Sequence, residues 1–246
     1  MTTKKLLEHN TLSSQVQNYI LELIPRENLT AGMAVPSEMQ IIQDLGVSRG
    51  VVRESYRSLS ALGVLEIKSG KVPRIKHFDA SVLQLIFGFA SATEQVTASQ
   101  ILSVRRWLEI GCAEMAAVNG TEQDFVLLQQ EMRLIRENFH NTESFVEHDI
   151  HFHLVLSQAS KNPLFIILLQ ALHAQLKQSV YAGLEAQKEH LQYEQRIVEL
   201  HQKICDFVCA RDAENAKKAM MEHFDTAVNS LIEQGSEVAG KSASSV

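Results

Sequence analysis

Apolar positions in the first part of the chain form helical stripes and then a short alternating stretch. Leu12, Val16, Tyr19, Ile20 and Leu23 recur at i, i+4, i+7, i+8 and i+11, one face of an amphipathic helix that Pro25 should end. Leu29–Gly32 reads as a turn, and Pro36–Gly63 as two short helices around a second, tighter one. Ser37 is the N-cap of the first, Gln40 stands in the capping-box position, and Ile41, Ile42 and Leu45 face inward. Gly46 sits where a left-handed residue closes a helix. Val47 is expected to be buried in the turn, and Ser48 to cap the second helix. That helix should carry Val51, Val52, Leu59 and Leu62 inward and Arg49, Arg53 and Arg57 outward on one stripe. Val64–Ile67 alternates as a strand, Lys68–Lys71 supplies a hairpin turn, and Val72–Ile75 returns. Pro73 predicts that the returning strand lies at an edge. Helix, helix, helix, hairpin is a winged helix-turn-helix.

Beyond this the period is helical throughout. Val82–Val96 is apolar and predicted helical, and further helices are expected near 98–118, 121–139, 142–160, 163–184, 190–210 and 213–233. The breaks fall at Asn119-Gly120, 138–142, Lys161-Asn162-Pro163, Gly183 and Arg211-Asp212. The fold class is therefore mainly α: an N-terminal winged helix-turn-helix with a small β-hairpin wing, then an all-α antiparallel bundle of six or seven helices. The expected divisions are 1–77 for the DNA-binding domain, 78–97 for a linker and connecting helix, 98–234 for a helical ligand domain, and 235–246 for a disordered tail.

Charge sharpens this division. Residues 1–76 hold 10 Lys/Arg against 7 Asp/Glu, and the remainder holds 13 against 22, so a basic module precedes an acidic one. Only the first suits phosphates. Cys112, Cys205 and Cys209 show no disulfide framework, and the uncharged runs are shorter than the ~20 apolar residues of a membrane span. A cytoplasmic, membrane-free protein is expected.

Arg49 is expected in the first turn of the second helix, where side chains of a helix-turn-helix reach furthest into a major groove. A bidentate pair to guanine is worth ~1–3 kcal/mol of base discrimination. Ser48 and the helix N-terminus suit a backbone phosphate, Gly50 leaves room beside Arg49, and Lys68 and Lys71 suit phosphates. The second constellation lies in Glu147–His153. Phe145, Asp149, Phe152, His153 and Leu156 form one stripe, which turns Asp149 and His153 into the bundle together. His201 and His223, roughly symmetric about the Arg211-Asp212 break, come out level on adjacent helices. One carboxylate and three imidazoles either form hydrogen-bonded core pairs or hold a divalent metal. Zinc is the expected ion, with nickel, manganese or iron as alternatives. His148 and His151 fall off the stripe, and His173 could face the cavity. A strand reading of His151-x-His153 would suit a metal-dependent hydrolase, but the period nearer 3.6 than 2 opposes it. No enzyme is expected.

Leu29-x-x-Gly32, Pro36-Ser37-Glu38, Gly46-Val47-Ser48-Arg49, Val52-Arg53-Glu54 and Leu62-Gly63 together resemble the GntR family of bacterial transcription regulators. Val104-Arg105-x-x-x-Glu109, Asp149-x-x-Phe152-His153, Asn162-Pro163, His201 and His223 are similar to the FCD ligand-binding domain of its FadR subfamily. The resemblance implies a homodimer on a palindromic double-stranded DNA operator, most often as a repressor. Ser37, Ser48, Arg49, Gly50, Arg53, Lys68, Gly70 and Lys71 would meet DNA, with Gly70 admitting backbone to the minor groove. It also implies metal ligation by Asp149, His153, His201 and His223, and a small hydroxy acid or sugar acid as effector. Arg105 would clamp the effector's carboxylate, or else pair with Glu109. A metal-free, acyl-responsive regulator is the alternative within the family. Met39 departs from the basic residue that many members carry there.

Overall fold

The computed structural model describes residues 11–186 and 191–226, and the side chains of 11–175 and 195–226. The expected tail 235–246 and the last part of the helix expected at 213–233 lie outside the described residues. The chain forms two compact units, Met1–Val82 and Leu83–Val246.

In the first unit, α1 (Leu12–Arg26) begins at Thr11, whose hydroxyl accepts from Ser14 N. It runs one residue past Pro25, because a proline near a helix C-terminus forfeits only its own N–H bond. α2 (Glu38–Leu45) and α3 (Arg49–Ala61) follow, capped by Ser37 and Ser48 as their spacing predicts. Gln40 turns its amide to Asp44 Oδ1 at 3.0 Å, so Ser37 caps the helix without a reciprocal box. Val16, Ile20, Val35, Ile41, Val52, Tyr56, Leu59 and Leu65 make the core. Val47 is only half-buried against it.

Leu62 was expected inward and is 61% exposed, because the helix has already ended and the chain turns out at Gly63. Gly63 adopts φ 74°, and a Cβ there would lie 3.0 Å from Val82 Cγ2, so both dihedral and space call for glycine. Ser13 and Ser55, buried between α1 and α3, face one another at 3.2 Å.

The wing is β1 (Leu65–Glu66) antiparallel to β2 (Arg74–Ile75), with Leu65 opposite Ile75. β2 is not an edge. Its far side pairs with the Gly32–Val35 stretch through Gly32 N to Ile75 O at 2.8 Å and Ile75 N to Met33 O at 2.9 Å. Pro73 is tolerated because it serves there as an acceptor, taking Val35 N at 3.0 Å, so its missing N–H is never required.

In the second unit, α4 (Ser81–Ala92, which straddles the boundary), α5 (Ala98–Asn119), α6 (Glu122–Glu137), α7 (Thr142–Ala159), α8 (Pro163–Ala186), α9 (Leu191–Cys209) and α10 (213–226) pack as a bundle. α5 and α6 open with capping boxes, Thr97 with Gln100 and Thr121 with Asp124. α8 continues through Gly183, where a break was expected. α4 joins this bundle: Phe87 packs on its core, Gln84 donates to Gln170 O, and Gln175 donates to Gln84 O. The core runs from Ile101 on α5 to Phe224 on α10, with Phe152 and Leu156 of α7 fully buried. No helix among the described residues is long and apolar enough to cross a membrane.

Candidate DNA-binding face and metal centre

The start of α2 is braced by α3. The buried Tyr56 hydroxyl donates to the Pro36 carbonyl, and burial, with Glu38 nearby, raises its pKa, so it stays a donor. This holds the α2 cap where Ser37 can accept from Gln40 N at 3.2 Å. Ser48 accepts from Val51 N at 3.4 Å, which starts α3 with Arg49 in its first turn. Arg49, Arg53 and Arg57 are all exposed. Together with Ser37, Lys68, Gly70, Lys71 and the exposed Met39 they line a groove of about 650 Å³ between α2, α3 and the wing. Ser48 and Gly50 flank Arg49, and a Cβ at Gly50 would meet only Ser48 Oγ, at 3.8 Å.

Two of the basic groups are partly engaged. Arg53 Nε lies 3.7 Å from Glu38 Oε2, and Lys68 Nζ 2.9 Å from Glu66 Oε1. Arg74 donates to Gly32 O at 2.7 Å and serves the sheet. Gly70, at φ 70° with open space where a Cβ would be, forms the protruding tip.

In the bundle, His153 from α7, His201 from α9 and His223 from α10 each bring a ring nitrogen within 4.8 Å of the others. Asp149, one turn before His153, places Oδ1 2.9 Å from His201 Nε2 and 3.9 Å from His153 Nε2. His201 Nδ1 lies 2.9 Å from the Ile197 carbonyl. A carbonyl only accepts, so Nδ1 donates to it and Nε2 is the nitrogen turned toward Asp149. Burial would raise the Asp149 pKa, but the His201 contact and the surrounding imidazoles outweigh it, and the net shift is downward. Burial, then His201 and His153, push His223 well below the ordinary histidine range, so it is a neutral imidazole. Its Nδ1 is buried and unpaired, as is His201 Nε2, which is not aligned with Asp149 as a hydrogen bond. Each orphan costs ~1–3 kcal/mol if nothing meets it. Three imidazoles and one carboxylate brought together in the interior, with His201 Nε2 and His223 Nδ1 unpaired, fit a divalent transition ion.

Around this cluster runs a network that the sequence showed only in part. Arg105, buried on α5, gives Nε and Nη2 to Glu109 Oε1 at 2.8 and 2.7 Å. Glu109 in turn touches His153 Nδ1 through Oε2, and lies 3.7 Å from His173 Nε2. Burial alone would raise Glu109's pKa; Arg105 and His153 outweigh it and keep the carboxylate well below its usual range. Burial would lower that of His153, but Glu109 outweighs it and the net shift is upward. His173 is pushed down to about 3 by burial and then by Arg105, so it stays neutral. Glu109 orients His153 as a carboxylate orients a ligating imidazole. Sequence named it only as a partner for Arg105, since nothing local links position 109 to position 153. His151 sits on α7, exposed, while His153 is buried, so the strand arrangement of a hydrolase is overturned.

A winged helix-turn-helix followed by a helical bundle with an interior ligand set defines a DNA-binding regulator with a separate sensing unit. Residues 12–74 match the bacterial regulatory proteins of the gntR family, and residues 100–226 match the FCD domain. The Glc operon transcriptional activator of Escherichia coli K12 is 30% identical over 91% of this chain and 90% of its own length. A putative L-lactate dehydrogenase operon regulatory protein of the same strain is 30% identical over 86% and 83%. The solved structure of Streptococcus agalactiae GntR shares the fold at a TM-score of 0.65 and 24% identity, covering 89% of this chain and 99% of that one. The chain belongs to the GntR family, with the FCD domain of its FadR-like subfamily. It is a DNA-binding transcriptional regulator and not an enzyme.

Proposed function

We propose that the chain is a cytoplasmic homodimer that represses from a palindromic operator and is released by a small hydroxy or sugar acid bound beside a divalent metal. The observation that carries this reading is the convergence of buried nitrogens of His153, His201 and His223 within 4.8 Å of one another, with Asp149 Oδ1 2.9 Å from His201 Nε2. Asp149, His153, His201 and His223 would hold the ion, with zinc the expected one and nickel, manganese or iron as alternatives. When bound, the metal supplies a positive anchor for a carboxylate and a neighbouring hydroxyl. The chain's own residues do the rest. Glu109 fixes the His153 ring, and Arg105 offers a planar fork that an effector carboxylate would share with Glu109. The name of the L-lactate dehydrogenase relative, an operon for a hydroxy-acid enzyme, supports an effector of that chemistry. The imidazole set favours this over a metal-free acyl ligand.

At the operator, Arg49 and Arg53 would read bases, Ser37, Ser48, Lys68 and Lys71 would hold phosphates, and Gly50 and Gly70 would allow close approach. Pairing two heads requires a second copy. The exposed Leu85 and Phe89 of α4 and Trp107 of α5, each more than 60% exposed, offer it an apolar surface. A second reading comes from the relative named as an activator: the effector would then strengthen operator binding. One experiment reads both. Operator affinity is measured with and without the small carboxylate that most raises thermal stability, each in the presence and absence of a chelator. Weaker binding supports repression, stronger binding activation, and reciprocity requires that operator DNA change effector affinity by the same factor. A stabilising acid that is indifferent to both chelator and DNA would sink the proposal.

A further inference from the structure

α7 carries histidines on two faces. Asp149 and His153 point inward, whereas His148 and His151, three residues apart, point outward beside α6. There Glu131 of α6 and the two imidazoles each bring a ligand atom within 4.8 Å of the others. We propose that Glu131, His148 and His151 form a second divalent-metal site, separate from the buried centre and open to solvent. It would take a borderline ion of the zinc, nickel or copper class.

The geometry lies close to what such an ion imposes. His148 Nδ1 and Glu131 Oε2 are 3.0 Å apart. Two ligands of a tetrahedral zinc, each ~2.0–2.1 Å from the ion, sit roughly 3.3 Å from one another. Entry of the ion therefore widens that contact by a few tenths of an ångström and replaces its hydrogen bond, the Nδ1 proton exchanging through solvent to the other ring nitrogen so that a neutral imidazole ligates. The His148 and His151 rings stand 6.5 Å apart between centroids at 70°, so their nitrogens can turn to one point without stacking. Glu131 and His148 keep only 17% and 21% of their side-chain exposure, which limits the rotamer freedom lost on binding. His151 is exposed and completes the set from the solvent side. Three protein ligands leave a position for water or an outside donor, the open arrangement of a site that exchanges its ion. An ion here ties α6 to α7 on the side of α7 opposite Asp149 and His153.

The test counts zinc. Full-length protein, stripped and then dialysed against low-micromolar Zn²⁺, is assayed for metal per chain alongside His151→Ala, Glu131→Gln and His223→Ala. Because His151 is exposed on a helix, its alanine variant keeps the fold, and circular dichroism verifies this. The expected result is that His151→Ala and Glu131→Gln each hold one zinc fewer than wild type. His223→Ala loses a different one, and a His151→Ala/His223→Ala chain loses both. A His151→Ala chain that keeps the wild-type count overturns the proposal, whatever happens at His223. Loss at His151 with no loss at His223 supports the surface site and removes the buried one, so the two readings fail separately.

Discussion

The two units handle charge in opposite ways. In the head, Arg49, Arg53 and Arg57 stand exposed on α3, and Arg53 meets Glu38 only loosely, at 3.7 Å. In the bundle, Arg105, Glu109 and His153 retain 6%, 1% and 1% of their side-chain exposure and are bound to one another. An exposed arginine costs almost nothing to keep and almost nothing to remove, so its only consequence is what it binds. A buried ionic network is different, since deleting one member strands the rest. Function and stability are thus separable in the head and fused in the bundle.

The sharpest way to break that contrast is Glu109→Ala. It strands Arg105 and His153 in the interior, and unfolding should become easier by ~3–5 kcal/mol, read from denaturant melts. A change below 1 kcal/mol would place Arg105 within reach of water and erase the distinction. Next comes metal removal. If the ion is held at about a hundred times its dissociation constant, chelation should destabilise the protein by ~2.7 kcal/mol. The same treatment should leave His201→Ala unmoved in calorimetry. Arg49→Ala should weaken specific operator binding by ~1–3 kcal/mol, measured by gel shift against a scrambled duplex, with its stability within ~0.5 kcal/mol of wild type. Lys71→Ala should show the smallest effect. The slope of log affinity against log salt should fall by ~0.9 per lost phosphate contact, with base preference unchanged.

Much of this contrast was legible in the sequence, and the reason is periodicity. The 3.6-residue stripe of α3 sent its arginines outward, and that of α7 sent Asp149 and His153 inward with His148 and His151 off the stripe; the caps at Ser37 and Ser48 stood where spacing put them. The failures are of two kinds. Local rules misjudged positions that tertiary pairing decides. Pro73 precedes a strand that is not an edge, because the Gly32–Val35 stretch, without strand alternation of its own, pairs outside it. Leu62 leaves its stripe because the helix ends one residue earlier. Long-range partners, in turn, leave no local trace. Glu109 meeting His153 across 44 positions, and Glu131 meeting His148 across 17, follow from helix packing that no stretch of either helix encodes.

The central claim is that the buried imidazoles hold a metal, and metal content tests it most directly. Wild-type protein purified without added metal should carry one tightly held divalent ion per chain, and His201→Ala should carry none. A wild-type chain that is metal-free yet as stable as the metal-loaded protein would contradict the account.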